Sequence, residues 1–170
     1  MKCGRAAFAV LVLVASAGTC PAQFSFGNFD PLKIAKDVGS VVKGTAGIGL
    51  KEENSIGGAV AIEIVARFGG VWKDAAATRR VNLIGKSLTR YCDRQELDFK
   101  FGILNSNTIN AFSAPGGYVF ITKGLYDLVG DNDDQPAGVL GYEITHVTQR
   151  HALKIIERGD LLGKCRTSPR

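Results

Sequence analysis

The sequence predicts an α+β domain in which amphipathic helices pack on a small mixed sheet. Two patterns of apolar residues, one with helical spacing and one with strand alternation, lead to this prediction. Apolar residues recur at helical spacing in EENSIGGAVAIEIVARF and again in WKDAAATRRVNLIGKSLTRYC. The period then falls to two in DFKFGIL, and NTINAFSAPGGYVFIT follows with apolar runs on both sides of Pro115-Gly116-Gly117. Alternation interrupted by a Pro-Gly-Gly turn is typical of neighbouring strands.

The remaining helices and the helix ends are predicted from glycine and proline residues and from one further apolar segment. Gly69-Gly70 ends the first helix, and TKGLYDLV predicts a short helix after the strands. Pro136 suits a first helical turn, where the missing N–H has no intrahelical partner to lose. The last helix is therefore expected to run from about Pro136 to Glu157.

Composition places the chain among ordinary globular proteins. It has 170 residues, 45% hydrophobic and 22% charged, enough for one domain with one sizeable core. The net charge is +5, but Lys2 and Arg5 lie at the N-terminus and three more basic residues lie in the last few positions. The central region is therefore nearly neutral, and it has no basic stripe of the kind that binds nucleic acid.

The first 22 residues have the pattern of a secretory signal peptide. Basic residues precede the apolar run AAFAVLVLV, and CPA before Gln23 offers a cleavage site. The alternative is an uncleaved anchor helix. The expected organisation is a signal peptide at 1–22, an exported leader or linker at 23–50, a folded domain at 51–160 and a basic tail at 161–170. No membrane span is expected after cleavage, and Cys92 and Cys165 could pair in an oxidising compartment.

The candidate site lies in GVLGYEITHVTQRH, residues 138–151. HExxH on a helix places two imidazoles one turn apart with a glutamate beside them, but here the first imidazole position holds Tyr142. Glu143 and His146 alone are a weak signal, since they could be a surface pair, and Tyr142 could simply pack. His151 follows His146 by five residues and is expected well round the helix, so these two histidines do not form a natural bidentate pair.

The wider context is more specific. NAFSAPGGYVFITKGLYDL followed by PAGVLGYEITHVTQRH closely resembles zinc metallopeptidase family 48, which includes the HtpX, CAAX prenyl protease and periplasmic barrel-assembly-enhancing protease types. The resemblance covers roughly Lys51 to His151. It implies a zincin-like (gluzincin) fold, a zinc cofactor, a polypeptide substrate or client, and a bacterial periplasmic or cell-envelope location.

The resemblance also implies roles for individual residues. Glu143 matches the general base, which accepts the proton of a metal-activated water in this class of enzyme. His146 matches the second zinc ligand, and Tyr142 stands where the first should be. The segment 110–122 matches the edge strand that holds a substrate backbone extended. Its expected substrate-binding residues are Asn110, Ala111, Phe112, Gly116 and Gly117.

Two departures lead us to expect impaired catalysis. Tyr142 replaces a ligand, and family members supply a third ligand, a glutamate, from a helix well beyond this motif, which makes the sequence look truncated. Three functions remain open at this stage. The chain could be an exported zinc endopeptidase, an inactive pseudopeptidase that binds extended polypeptide as a chaperone-like or adaptor module, or a decayed gene product.

Overall fold

A computed structural model describes residues 48–130 and 132–156. The predicted signal peptide, most of the leader, the basic tail, Glu157 and Cys165 lie outside these ranges, so the domain boundaries stay predictions. The described chain contains, in order, α1 (Leu50–Arg67), α2 (Ala75–Thr89), β1 (Lys100–Leu104), β2 (Ala111–Ala114), a 3-10 turn (Pro115–Gly117), β3 (Tyr118–Thr122), α3 (Lys123–Leu128) and α4 (Asp134–Thr148). Residues 151–156 are again helical.

The three strands form a small mixed sheet in the order β1-β3-β2. β1 runs parallel to β3, and β2 pairs antiparallel with β3 through the Pro115–Gly117 turn. The predicted α+β class with a small mixed sheet is therefore confirmed. In the described part of the chain, β2 has β3 as its single neighbour in the sheet and so forms one edge.

The sheet separates two apolar clusters because successive side chains of a strand point to opposite faces. On one face, Phe112, Ala114 and Phe120 pack with Ile56, Val60 and Ile64 of α1. On the other face, Ile103, Val119 and Ile121 pack with α2 and with Leu140, Ile144 and Val147 of α4. The described chain thus forms three layers, with α1 on one side of the sheet and α2 and α4 on the other.

Side chains that accept hydrogen bonds from backbone N–H groups mark the starts of α2 and α4. The Asp74 carboxylate accepts a hydrogen bond from the Ala77 N–H and so caps α2. The Asn132 side chain accepts from the N–H groups of Asp134 and Gln135 at the start of α4. Among the described residues, no helix is both long and apolar enough to cross a membrane.

The prediction of one continuous last helix from Pro136 to Glu157 is wrong. α4 begins at Asp134 and ends at Thr148, and Arg150 has a positive φ of 55°. The backbone then turns helical again at 151, where Leu153 and Ile156 pack into the cluster on the α1 side of the sheet. The break therefore carries the chain from one face of the sheet to the other, a tertiary demand that helical periodicity does not reveal.

Candidate metal centre and peptide-binding edge

The YEITH residues lie in the second half of α4, packed against β2. Glu143 points inward and is buried, whereas Tyr142 is 61% exposed. The Tyr142 ring meets the His146 imidazole edge-on, with ring centroids 4.6 Å apart and an interplanar angle of 78°. Tyr142 therefore packs against the imidazole as an aromatic neighbour, in an arrangement that aromatic pairs favour.

Glu143 is a buried carboxylate with incomplete hydrogen bonding. Its Oε2 has no hydrogen-bond partner among the described residues. Burial raises the pKa of the Glu143 carboxyl, and the nearby Ser113 hydroxyl partly offsets that rise. A carboxyl in this setting holds a proton more readily than one in water, because burial disfavours the charged form.

His146 and His151 form a pair that helical spacing did not predict. Their Nδ1 atoms lie 2.8 Å apart, and their ring centroids are 4.9 Å apart. The expectation that His151 lies well round the helix is wrong because α4 ends before it. Burial lowers the pKa of His146, and burial, His146 and Lys154 lower that of His151, so both imidazoles favour the neutral form.

The helix is interrupted between these histidines, and residues on the α1 side of the sheet stabilise the interruption. The Arg150 guanidinium donates to the Ile48 carbonyl, and its Nε lies 3.8 Å from Oε2 of Glu53. Glu53 is 1% exposed, and it also accepts two hydrogen bonds from Arg94, at 2.9 and 3.1 Å, and one from the Gly116 N–H. Sequence reasoning missed Glu53, Arg94 and Arg150, because their partners are distant in the chain.

The geometry of β2 defines which backbone groups face outward. The Thr122 N–H donates to the Asn110 carbonyl, so residues 110 and 122 form a hydrogen-bonded pair. Antiparallel ladders alternate such pairs with open ones. Since Ala111 is opposite Ile121 and Ser113 opposite Val119, the backbone groups of Ala111 and Ser113 point away from β3. The Ala111 N–H is already engaged by the Asn110 side chain, at 2.9 Å.

The other predicted substrate-binding residues are placed as follows. Phe112 is buried in the cluster beneath α1. Gly116 and Gly117 are buried with φ of 75° and 91°, and a Cβ on Gly116 would lie 2.7 Å from Oδ1 of Asn54. Contacts within the chain therefore already require glycine at position 116. The substrate role expected for these three residues stays a prediction.

The zinc site implied by the motif does not fit the donors at these positions. A catalytic zinc ion takes three protein ligands and keeps one open position. No group of three His, Cys, Asp or Glu side chains in the described ranges could hold a metal ion. At the motif itself, His146 is the one imidazole, and it faces His151 through Nδ1 while an exposed phenol ring occupies the first ligand position.

The arrangement nevertheless defines a domain of the metallopeptidase class: a Glu-x-x-His helix lies beneath the edge strand of a small mixed sheet. Comparison with known proteins names the family. The model of Peptidase family M48 matches residues 75–167, more than half of the chain. The chain belongs to this family, which agrees with the resemblance seen in the sequence.

Individual relatives carry related names. The chain is 36% identical over 84 residues to the beta-barrel assembly-enhancing protease of Escherichia coli (strain K12), a match covering 49% of this chain and 17% of that protein. It is 34% identical over 90 residues to the Yersinia pestis protein of the same name, covering 53% and 18%. A putative beta-barrel assembly-enhancing protease of Vibrio cholerae is 29% identical over 128 residues, covering 75% and 25%. The matched region therefore spans a quarter or less of these relatives.

Proposed function

We propose that this chain is an exported, zincin-like domain that binds extended polypeptide along β2 and whose peptidase chemistry is impaired by Tyr142. The observation that carries the proposal is the position of the β2 edge directly over the Glu143 carboxyl. The Ser113 hydroxyl of β2 hydrogen-bonds to that carboxyl. The backbone N–H and carbonyl of Ser113 point away from β3. A peptide added at this edge would have its backbone beside the proton-accepting residue of the family.

Binding by β-addition uses main-chain hydrogen bonds for affinity and side-chain pockets for selectivity. The Ala111 carbonyl and the Ser113 N–H and carbonyl supply that ladder. The backbone path of the strand that carries these groups depends on the other expected substrate-binding residues, Asn110, Phe112, Gly116 and Gly117. The family names support a polypeptide as the ligand class, since the matched relatives are named as proteases.

We attribute the impaired hydrolysis to the side chains at positions 142 and 146, where the family has its zinc-binding histidines. Glu143 retains the role of proton acceptor in this proposal, and His146 retains one nitrogen donor. Tyr142 offers a phenol, whereas protein zinc sites are built from thiolate, imidazole and carboxylate donors. Because the donors at 142 and 146 do not fit a zinc centre, we expect binding of peptide with little or no hydrolysis. Export rests on the pattern of residues 1–22 alone.

Peptide binding can be tested with the purified protein by fluorescence anisotropy. A labelled extended peptide is compared with the same peptide N-methylated at alternate residues, which removes ladder donors on one edge and leaves the side chains unchanged. We expect the unmodified peptide to bind and the methylated one to bind at least ten-fold more weakly. Equal binding of both peptides, or none of either, would contradict β-addition.

Hydrolysis is tested separately with casein as substrate. We expect turnover by the wild-type protein to match that of Glu143→Gln, which lacks a proton acceptor. Turnover that Glu143→Gln abolishes would show a working peptidase and overturn the proposed impairment, while leaving the peptide-binding result intact.

A further inference from the structure

Tyr142 stands at a ligand position of the family motif, yet its ring is placed for contact with another molecule. The side chain is 61% exposed, although it directly precedes the buried Glu143. Its ring meets the His146 imidazole edge-on, and that imidazole meets the His151 ring with centroids 4.9 Å apart and an interplanar angle of 74°. Contact with a neighbouring ring restricts the rotation of an exposed side chain, so the ring of Tyr142 is partly ordered before any ligand arrives.

The helical phase of α4 directs Tyr142 and His146 to the side of the β2 edge. On the opposite side of the helix, Ile144 lines a groove between α4 and α2. Glu143 lies between these two sides and is hydrogen-bonded by Ser113 of the edge strand. At about 100° per residue, His146 and Tyr142 are rotated from Glu143 by about 60° and 100°, away from α2. Both rings therefore lie where α4 passes the edge of the sheet.

A strand added to β2 would direct every second side chain to the same place. Ala111 packs in the cluster on the α4 side of the sheet, whereas Phe112 packs in the cluster on the α1 side. The backbone groups of Ala111 and Ser113 point away from β3. Residues directly opposite each other in paired strands carry their side chains on the same face. The two peptide residues that pair with Ala111 and Ser113 would therefore face α4 and the ring of Tyr142.

From this arrangement we infer that Tyr142 is a specificity-determining residue, which selects extended peptides with an aromatic side chain at a residue facing α4. The inference rests on the proposed binding along β2. Aromatic rings prefer edge-on or offset contact with one another, and the ordered ring of Tyr142 offers such a partner. The carboxyl of Glu143 is buried, and the positive charge of Lys154 acts on His151, so a basic peptide side chain is disfavoured against a neutral ring. The substitution that removes a nitrogen donor thus adds a contact for peptide.

Two labelled, extended, threonine-rich peptides test this selection by fluorescence anisotropy. One carries a single Phe at its centre, and the other carries Ala there. We expect wild-type protein to bind the Phe peptide at least about ten-fold more tightly than the Ala peptide. In Tyr142→Ala this ratio should fall below about three-fold, and in Tyr142→Phe, which keeps the ring, it should return to at least about ten-fold.

Ile62→Ala is the matched control for removal of a large exposed side chain. Ile62 is 73% exposed on α1, which packs on the other side of the sheet from α4. Its truncation should leave the ratio between the Phe and Ala peptides at the wild-type value. Circular dichroism of each variant checks that the protein is folded. A ratio that falls in Tyr142→Ala but not in Ile62→Ala would support selection by the ring at position 142.

The remaining outcomes separate this inference from the proposal on which it rests. Equal binding of the Phe and Ala peptides to wild-type protein, or an unchanged ratio in folded Tyr142→Ala, would overturn selection by Tyr142 and leave peptide binding along β2 in place. A third peptide with Lys at its centre that bound as tightly as the Phe peptide would also overturn the aromatic preference. If wild-type protein bound none of the peptides, the proposed function would fail, and this inference with it.

Discussion

Arg94 holds Glu53 through two hydrogen bonds of 2.9 and 3.1 Å, one to each carboxylate oxygen. Arg94 lies in the loop between α2 and β1, and Glu53 lies in the first turn of α1. The same carboxylate accepts from the Gly116 N–H and lies near Arg150. One buried anion therefore joins α1, the turn after β2 and the break after α4, which are the elements that shape the candidate site.

Arg94→Met should strongly destabilise the fold. The substitution keeps much of the aliphatic volume but leaves Glu53, 1% exposed, without its bidentate partner. Removing one member of a buried ion pair costs about 3–5 kcal/mol, and the neighbouring Arg150 favours the lower end of that range. Urea unfolding measures the loss. Lys86→Met is the matched control, because Lys86 and Asp98 form an exposed pair whose removal should cost less than about 1 kcal/mol. Similar losses in both variants would contradict the role assigned to the buried anion.

Gly57→Ala should destabilise α1 against the usual preference of helices for alanine. A Cβ at position 57 would lie 1.7 Å from the Pro115 carbonyl oxygen, so α1 and the turn after β2 would have to separate. We expect a loss of at least about 2 kcal/mol in the free energy of unfolding, measured by urea denaturation.

Gly138→Ala in α4 is the control for this effect. A Cβ at position 138 meets no described atom within 4 Å, so the helix should gain up to about 1 kcal/mol. If both alanine variants were more stable than wild type, α1 would not lie as close to Pro115 as the structure has it.

The class of fold could be predicted from the sequence because it depends on local periodicity. The alternation in FKFGIL and the Pro-Gly-Gly turn predicted the strands, and Pro136 predicted the start of α4 to within two residues. The His146–His151 pair could not be predicted in this way. It depends on a positive φ at Arg150, a residue with no intrinsic preference for that conformation, and on partners about a hundred positions away at Ile48 and Glu53. Neither glycine nor proline marks the break.

Tyr142→His should raise the affinity for Zn²⁺ at least ten-fold over wild type. The new imidazole would lie one turn before His146, at the spacing that lets two side chains on a helix converge, so the cluster would hold three nitrogen donors with His151. Calorimetric titration of chelator-treated protein measures the change. Tyr142→Phe should not increase affinity, since it adds no nitrogen. An unchanged affinity in the histidine variant would mean that the imidazole at 142 does not converge with His146 on a common point.

Glu143→Gln should stabilise the metal-free protein at neutral pH. Burial raises the pKa of the Glu143 carboxyl, so the folded state binds that proton more tightly than the unfolded chain. The stability linked to this proton is complete below the ordinary pKa and is lost as pH rises through the raised value. The neutral glutamine avoids that loss, so its unfolding midpoint should exceed that of wild type at pH 7, with a difference that shrinks toward pH 4. Thermal unfolding in chelator measures both. Glu63 is exposed on α1, so the control Glu63→Gln should show no such trend with pH. If the difference in unfolding midpoint between Glu143→Gln and wild type did not change with pH, the Glu143 carboxyl would be ionised equally in the folded and unfolded states.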